Sequence, residues 1–127
     1  MKVSFHFLTA LALALAPALA HAQPAINIIQ IWQNFLASRA AAITCNAVDP
    51  GTKTQFEANL IDVTIRAGQS ILQNDPSISQ ADLPVKMKTV GDGISSKVND
   101  EISQNGCKSP KIDQLLKLYK MHSTMKL

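Results

Sequence analysis

Ser103-Gln-Asn-Gly-Cys-Lys-Ser-Pro110 decides the fold of this chain. Within eight residues one helix stops, a cysteine appears and another helix starts. Gly106 is the residue type that closes a helix in the left-handed conformation, because it has no Cβ to clash. Ser109 is suited to accept hydrogen bonds from the free N–H groups of the following helix. Pro110 suits the first turn, where its missing N–H is no loss. Cys107 sits in the joint, and Cys45 is the only other cysteine in the chain.

Working back to the start, residues 1–22 read as a cleaved secretory leader. Lys2 supplies the positive end, Phe5 to Ala16 an apolar run, and Ala20-His-Ala22 the small residues of a cleavage site. The alternative is an uncleaved membrane anchor, but the run is short for a span and Pro17 and His21 interrupt it. The mature chain, Gln23 to Leu127, is then one domain, large enough for its own core. Export places two cysteines in an oxidising compartment, which favours a Cys45–Cys107 disulfide over free thiols or an intermolecular bridge. Closing so long a loop is worth about 4 kcal/mol on the chain-entropy argument.

The whole chain carries 12 Lys and Arg against 9 Asp and Glu, and Lys2 is the only charge in the leader. The mature balance is therefore near +2, too mild for nucleic-acid recognition. The charge is uneven: Lys108, Lys111, Lys117, Lys120 and Lys126 follow the second cysteine with only Asp113 to offset them. Aromatic residues are few, so the core must be mostly aliphatic.

Apolar residues recur at helical spacing in four stretches. From Ile26 to about Cys45 they are Ile28, Trp32, Phe35, Leu36, Ala40 and Ile43. Asp49-Pro-Gly51 reads as a turn, and Thr52-x-x-Gln55 and Thr54-x-x-Glu57 both match a capping box that opens the second helix. Phe56, Leu60, Val63, Ala67 and Ile71 line that helix to about Gln73, with Ile61, Ile65, Gly68 and Leu72 beside them. The third helix runs from near Pro84 to Asn105 on Met87, Val90, Ile94, Val98 and Ile102. Gly91 and Gly93 weaken it, and close packing against a neighbour is the expected reason for them. The fourth runs from Pro110 to about Met125 on Ile112, Leu115, Leu116, Tyr119 and His122 or Met125.

Four helices and short connections predict an all-α, antiparallel up-down four-helix bundle. The cysteines agree with that topology, because it brings the ends of helices one and three to the same end of the bundle.

No enzyme constellation is visible. There is no Gly-x-Ser-x-Gly, no phosphate loop and no Cys-x-x-Cys, and the mature chain has one histidine, His122. Asp100 and Glu101 point to different helix faces. Met121, His122 and Met125 form the only metal-like cluster, with ligands that suit Cu(I), but its bland reading is a core residue beside a helix end. No cofactor is implied. The lysines of helix four have two readings, a helix lying on anionic lipid or the fourth wall of the bundle with a solvated face. The disulfide favours the wall, leaving Lys108, Lys111, Lys117 and Lys120 as a docking surface for an acidic partner.

The expectation is a periplasmic or secreted, non-catalytic protein-binding domain: an inhibitor, immunity or accessory protein of an envelope or secreted partner. A carrier of a small apolar ligand or metal between the helices is the alternative, and a periplasmic stress chaperone a further one.

Overall fold

The computed structural model describes residues 26–127. The leader lies outside these residues. Four helices fill the described chain: α1 (Ile28–Thr44), α2 (Pro50–Asn74), α3 (Leu83–Asn105) and α4 (Pro110–Thr124). No strand occurs among the described residues. None of their helices is long and apolar enough to cross a membrane.

The helix ends follow from local chemistry. Asn27 caps α1 by accepting from Gln30 N at 3.1 Å. The start of α2 differs from the capping-box expectation. Asp49 is its N-cap, accepting from Gly51 N at 2.9 Å, and Pro50 opens the first turn. The Asp-Pro-Gly signal thus marks a helix start, because a proline after a capping aspartate fits N1 as well as it fits a turn. Thr52 and Thr54 lie inside the helix. Ser109 caps α4 as expected, accepting from Ile112 N at 3.4 Å. Gly106 stops α3 with φ 77° and ψ 171°. The positive φ was expected; the extended ψ was not, and it places the residue in a region that glycine alone occupies readily. With ψ extended, no left-handed cap forms, and the chain passes directly into Cys107.

The disulfide joins Cys45 to Cys107 with the Cα atoms 5.8 Å apart. Leu36 lies beside Gly91, Thr44 donates to Asn99 Oδ1 at 2.8 Å, and the cystine follows, so α1 and α3 run in the same direction. Phe56 meets Tyr119, and Asn59 reaches the His122 carbonyl, so α2 and α4 also run together. The result is the up-down four-helix bundle.

The bundle is uneven. α1 packs broadly against each of the other three helices, α2 also packs against α4, and α3 meets α2 and α4 only narrowly. The main core joins Trp32, Phe35 and Ala42 of α1 to Phe56, Val63 and Ala67 of α2 and Tyr119 of α4. α3 adds only the half-buried Met87 and Val90 to it. A second, smaller core of Ala41, Val98 and Ile112 lies beside the cystine. Val98 is the one fully buried residue of α3, so the expected five-residue stripe is mostly half-buried. Ile43, expected on the inner face of α1, is 53% exposed, while Ser38, Ala41 and Ala42 are buried in its place.

The α3 glycines are not explained by close packing. A Cβ on Gly91 would make an ordinary 3.6 Å contact with Leu36, and one on Gly93 would meet nothing within 4 Å. The most closely surrounded glycine is Gly68 of α2, where a Cβ would come within 3.2 Å of Leu83 and 3.4 Å of Met87, so those side chains would have to shift slightly.

Candidate functional site

The narrow contact between α2 and α3 leaves a groove between them. Two adjoining hollows, of about 480 and 320 Å3, share Thr64 and Met87. The larger lies where α2 ends and α3 begins, walled by Ile65, Leu72, Leu83 and Pro84 with Gly68 at its base. The smaller is lined by Trp32 and Leu36 of α1 and by Leu60 of α2. Few polar groups face the larger hollow, and the Thr64 hydroxyl already donates to Leu60 O at 2.6 Å.

Large apolar side chains on the same two helices stand in solvent. Ile65, in the wall of the larger hollow, is 56% exposed and Ile61, one turn before it on α2, 62%; Val85 of α3 is 69% exposed but faces away from the groove. An exposed apolar patch that adjoins a groove costs solubility and marks a contact surface more often than scattered apolar residues do. Neighbouring charges close on their own helices, Arg66 with Asp62 at 2.9 Å on α2 and Lys88 with Asp92 on α3. The groove therefore offers an apolar surface with little net charge beside it.

Sequence reasoning did not find this groove. The sequence places Ile61, Ile65 and Leu72 beside the inner stripe of α2, and three large apolar residues next to a complete stripe are more than one neighbour can cover. That excess was the available signal.

The residues singled out in the sequence are dispersed. Met121 is on the outer side of α4 beside Lys117 and Leu118, whereas His122 is buried and Met125 packs against the main core. Met121 and His122 thus point to different faces of α4, about 100° apart. No cluster of three or more His, Cys, Asp or Glu side chains with metal-site geometry occurs among the described residues. Lys117 pairs with Asp113 at 2.7 Å, and Lys111 approaches Glu101 of α3 at 3.8 Å. At about 100° per residue, Lys111 and Lys120 fall on opposite flanks of the outer face and Lys117 between them. With Lys108 in the preceding joint, these four make a scattered fringe without a single focus.

His122 belongs to the core instead. Its ring stacks on Phe35, with centroids 3.8 Å apart and planes 7° from parallel. The Ser38 hydroxyl donates to Phe35 O at 3.0 Å, so Ser38 Oγ accepts from His122 Nδ1–H at 3.1 Å. Burial lowers the imidazole pKa from 6.5 to about 4, because the charged form loses its water there. The ring is neutral at pH 7, held by a hydrogen bond and a stack. Asn59 Nδ2 donates to the carbonyls of His122 and Met125 at 2.8 and 2.9 Å, closing the end of α4 onto α2. The Ser38–His122 pair is built as packing: both side chains are buried, the serine proton goes to a backbone carbonyl, and no carboxylate among the described residues hydrogen-bonds the imidazole.

No family model, curated protein or solved structure matches the chain. The functional reading rests on the geometry alone.

Proposed function

We propose that the protein is an exported, non-catalytic binding domain that takes an apolar segment of another envelope or secreted protein into the α2–α3 groove, as an inhibitor, immunity or accessory protein does. The observation that carries this reading is the groove itself, with the exposed Ile65 in its wall and the exposed Ile61 one turn before it on α2. An amphipathic helix laid between α2 and α3 would cover those side chains and supply the apolar wall that α3 lacks. The proposed surface is thus on α2 and α3, and the α4 lysines are its solvated counterpart on the far side. Export is supported by the leader-like residues 1–22 and by the Cys45–Cys107 disulfide, which an oxidising compartment maintains.

Native mass spectrometry of the protein recovered from its own host tests the reading. The expected spectrum shows a stoichiometric protein adduct that is lost in Ile65→Glu, a change on an exposed position that leaves the fold intact. An adduct retained by Ile65→Glu, or only a small apolar molecule bound, contradicts it. The second outcome turns the groove into a carrier site, which its nearly complete apolar lining also suits.

A further inference from the structure

We propose that a second cleft, at the end of the bundle where α1 passes into α2, binds a small carboxylate that carries a short apolar group. This cleft holds about 270 Å3 and is separate from the groove. Arg39 and Ile43 of α1, Lys53 and Glu57 of α2, and Tyr119 of α4 line it, with Asn46 and Val48 of the connecting turn.

Two observations point to a ligand. Tyr119 has its ring in the core, and its hydroxyl reaches the cleft without a hydrogen-bond partner among the described residues, so it is a donor open to a molecule held there. Burial first, and then the charge of Glu57, push the Tyr119 pKa upward, so the hydroxyl remains a donor at neutral pH.

The second observation is the charge set. Arg39 Nε donates to Glu57 Oε1 at 2.8 Å, which leaves the terminal amino groups of the guanidinium for another acceptor. Lys53 makes no ion pair among the described residues. The lining carries two cations against the one carboxylate of Glu57, and Asp49 nearby is engaged at the N-cap of α2. One surplus positive charge matches a monoanion better than a phosphate dianion, which Glu57 would repel. Arg39, Lys53 and Tyr119 all line the cleft as donors for an anion, while Ile43 and Val48 offer an apolar wall. The small volume limits the apolar part to a few carbons.

The test is a titration of the 15N-labelled protein with isovalerate at fixed ionic strength, with neutral isovaleramide as control. Saturable shifts are expected at Arg39 Nε and at the amides around Ile43, Lys53 and Tyr119. A dissociation constant on the order of 1 mM is open to so small a ligand. Isovaleramide should bind about ten-fold more weakly, and so should isovalerate to Tyr119→Phe or to Lys53→Gln. Tyr119→Phe keeps the ring against Phe56, and the exposed Lys53 is replaced without touching the core, so one variant checks the other. The absence of saturable shifts, equal binding of the amide, or unchanged binding to both variants overturns the proposal. A peptide C-terminus offers the same chemistry. N-acetyl-alanyl-valine, compared with isovalerate, separates a chain end, which would bind more tightly, from a free acid.

Discussion

The two sides of α1 are built differently. Toward α2 and α4 it buries Trp32, Phe35, Ser38 and Ala42 in a core that also holds Phe56, Val63, Tyr119 and His122. Toward α3 it meets a helix with one fully buried residue, Val98, close to the disulfide. The closed side is aromatic and hydrogen-bonded across helices; the open side is aliphatic, half-buried and fastened at one end by a cystine. The difference teaches that three helices hold the fold while the fourth, tied at its C-terminal end, leaves a groove where its N-terminal half stands away from α2.

The largest break in this comparison should come from Phe35→Ala. It removes a side chain with no exposure and the stacking partner of His122. A loss of about 5 kcal/mol, the top of the range for a buried phenylalanine, is expected in urea denaturation. Removing the covalent tie should follow. Cys45→Ser/Cys107→Ser opens a crosslink spanning 62 residues and should lower stability by about 4 kcal/mol. Its hydrogen-exchange signature should be uneven, with protection lost first in α3 and retained in α1, α2 and α4. Equal loss across all four helices would mean that the open side is not held separately.

Acid should act on the closed side. The His122 pKa is about 4 in the fold and 6.5 at its ordinary value. The unfolded chain therefore binds the extra proton in that interval, and stability falls as pH falls from about 6.5 to 4. The full loss is about 3 kcal/mol, complete below pH 4. Urea denaturation at successive pH values should show this slope in the wild type and lose it between pH 6.5 and 5 in His122→Phe, above the range where carboxylates dominate. An unchanged slope in the variant would mean that the imidazole is solvated.

The smallest effect belongs to the open side and has the opposite sign. Gly93 faces open space in the interior of α3, so Gly93→Ala should stabilise by about 1 kcal/mol, read as a raised thermal midpoint. A destabilisation would place an unseen neighbour against that face.

Much of this was legible in the sequence. The helical periodicity, the Ser109-Pro110 start of α4, the glycine stop and the single possible cysteine pairing are local or combinatorial signals, and they recovered the topology. The Asp49-Pro-Gly51 start misled because a turn and a helix N-terminus use the same residues. Ser38 and Asn59 look like surface residues in sequence, and only the partners brought in by α4 reveal why they are buried. The groove was hardest to read. Whether Ile65 is covered depends on how closely α3 approaches α2, and that distance is set by packing elsewhere in the bundle.

The central claim is that the open α2–α3 side is the binding face. Photo-crosslinking in the host's own envelope tests it directly, with a photoreactive residue placed in turn at Ile65, Gln69 and Met121. One discrete crosslinked protein is expected from Ile65 and Gln69 and none from Met121 on the outer side of α4. A crosslink from Met121 with none from Ile65 and Gln69 would contradict that claim and return the docking surface to the lysine-bearing face of α4.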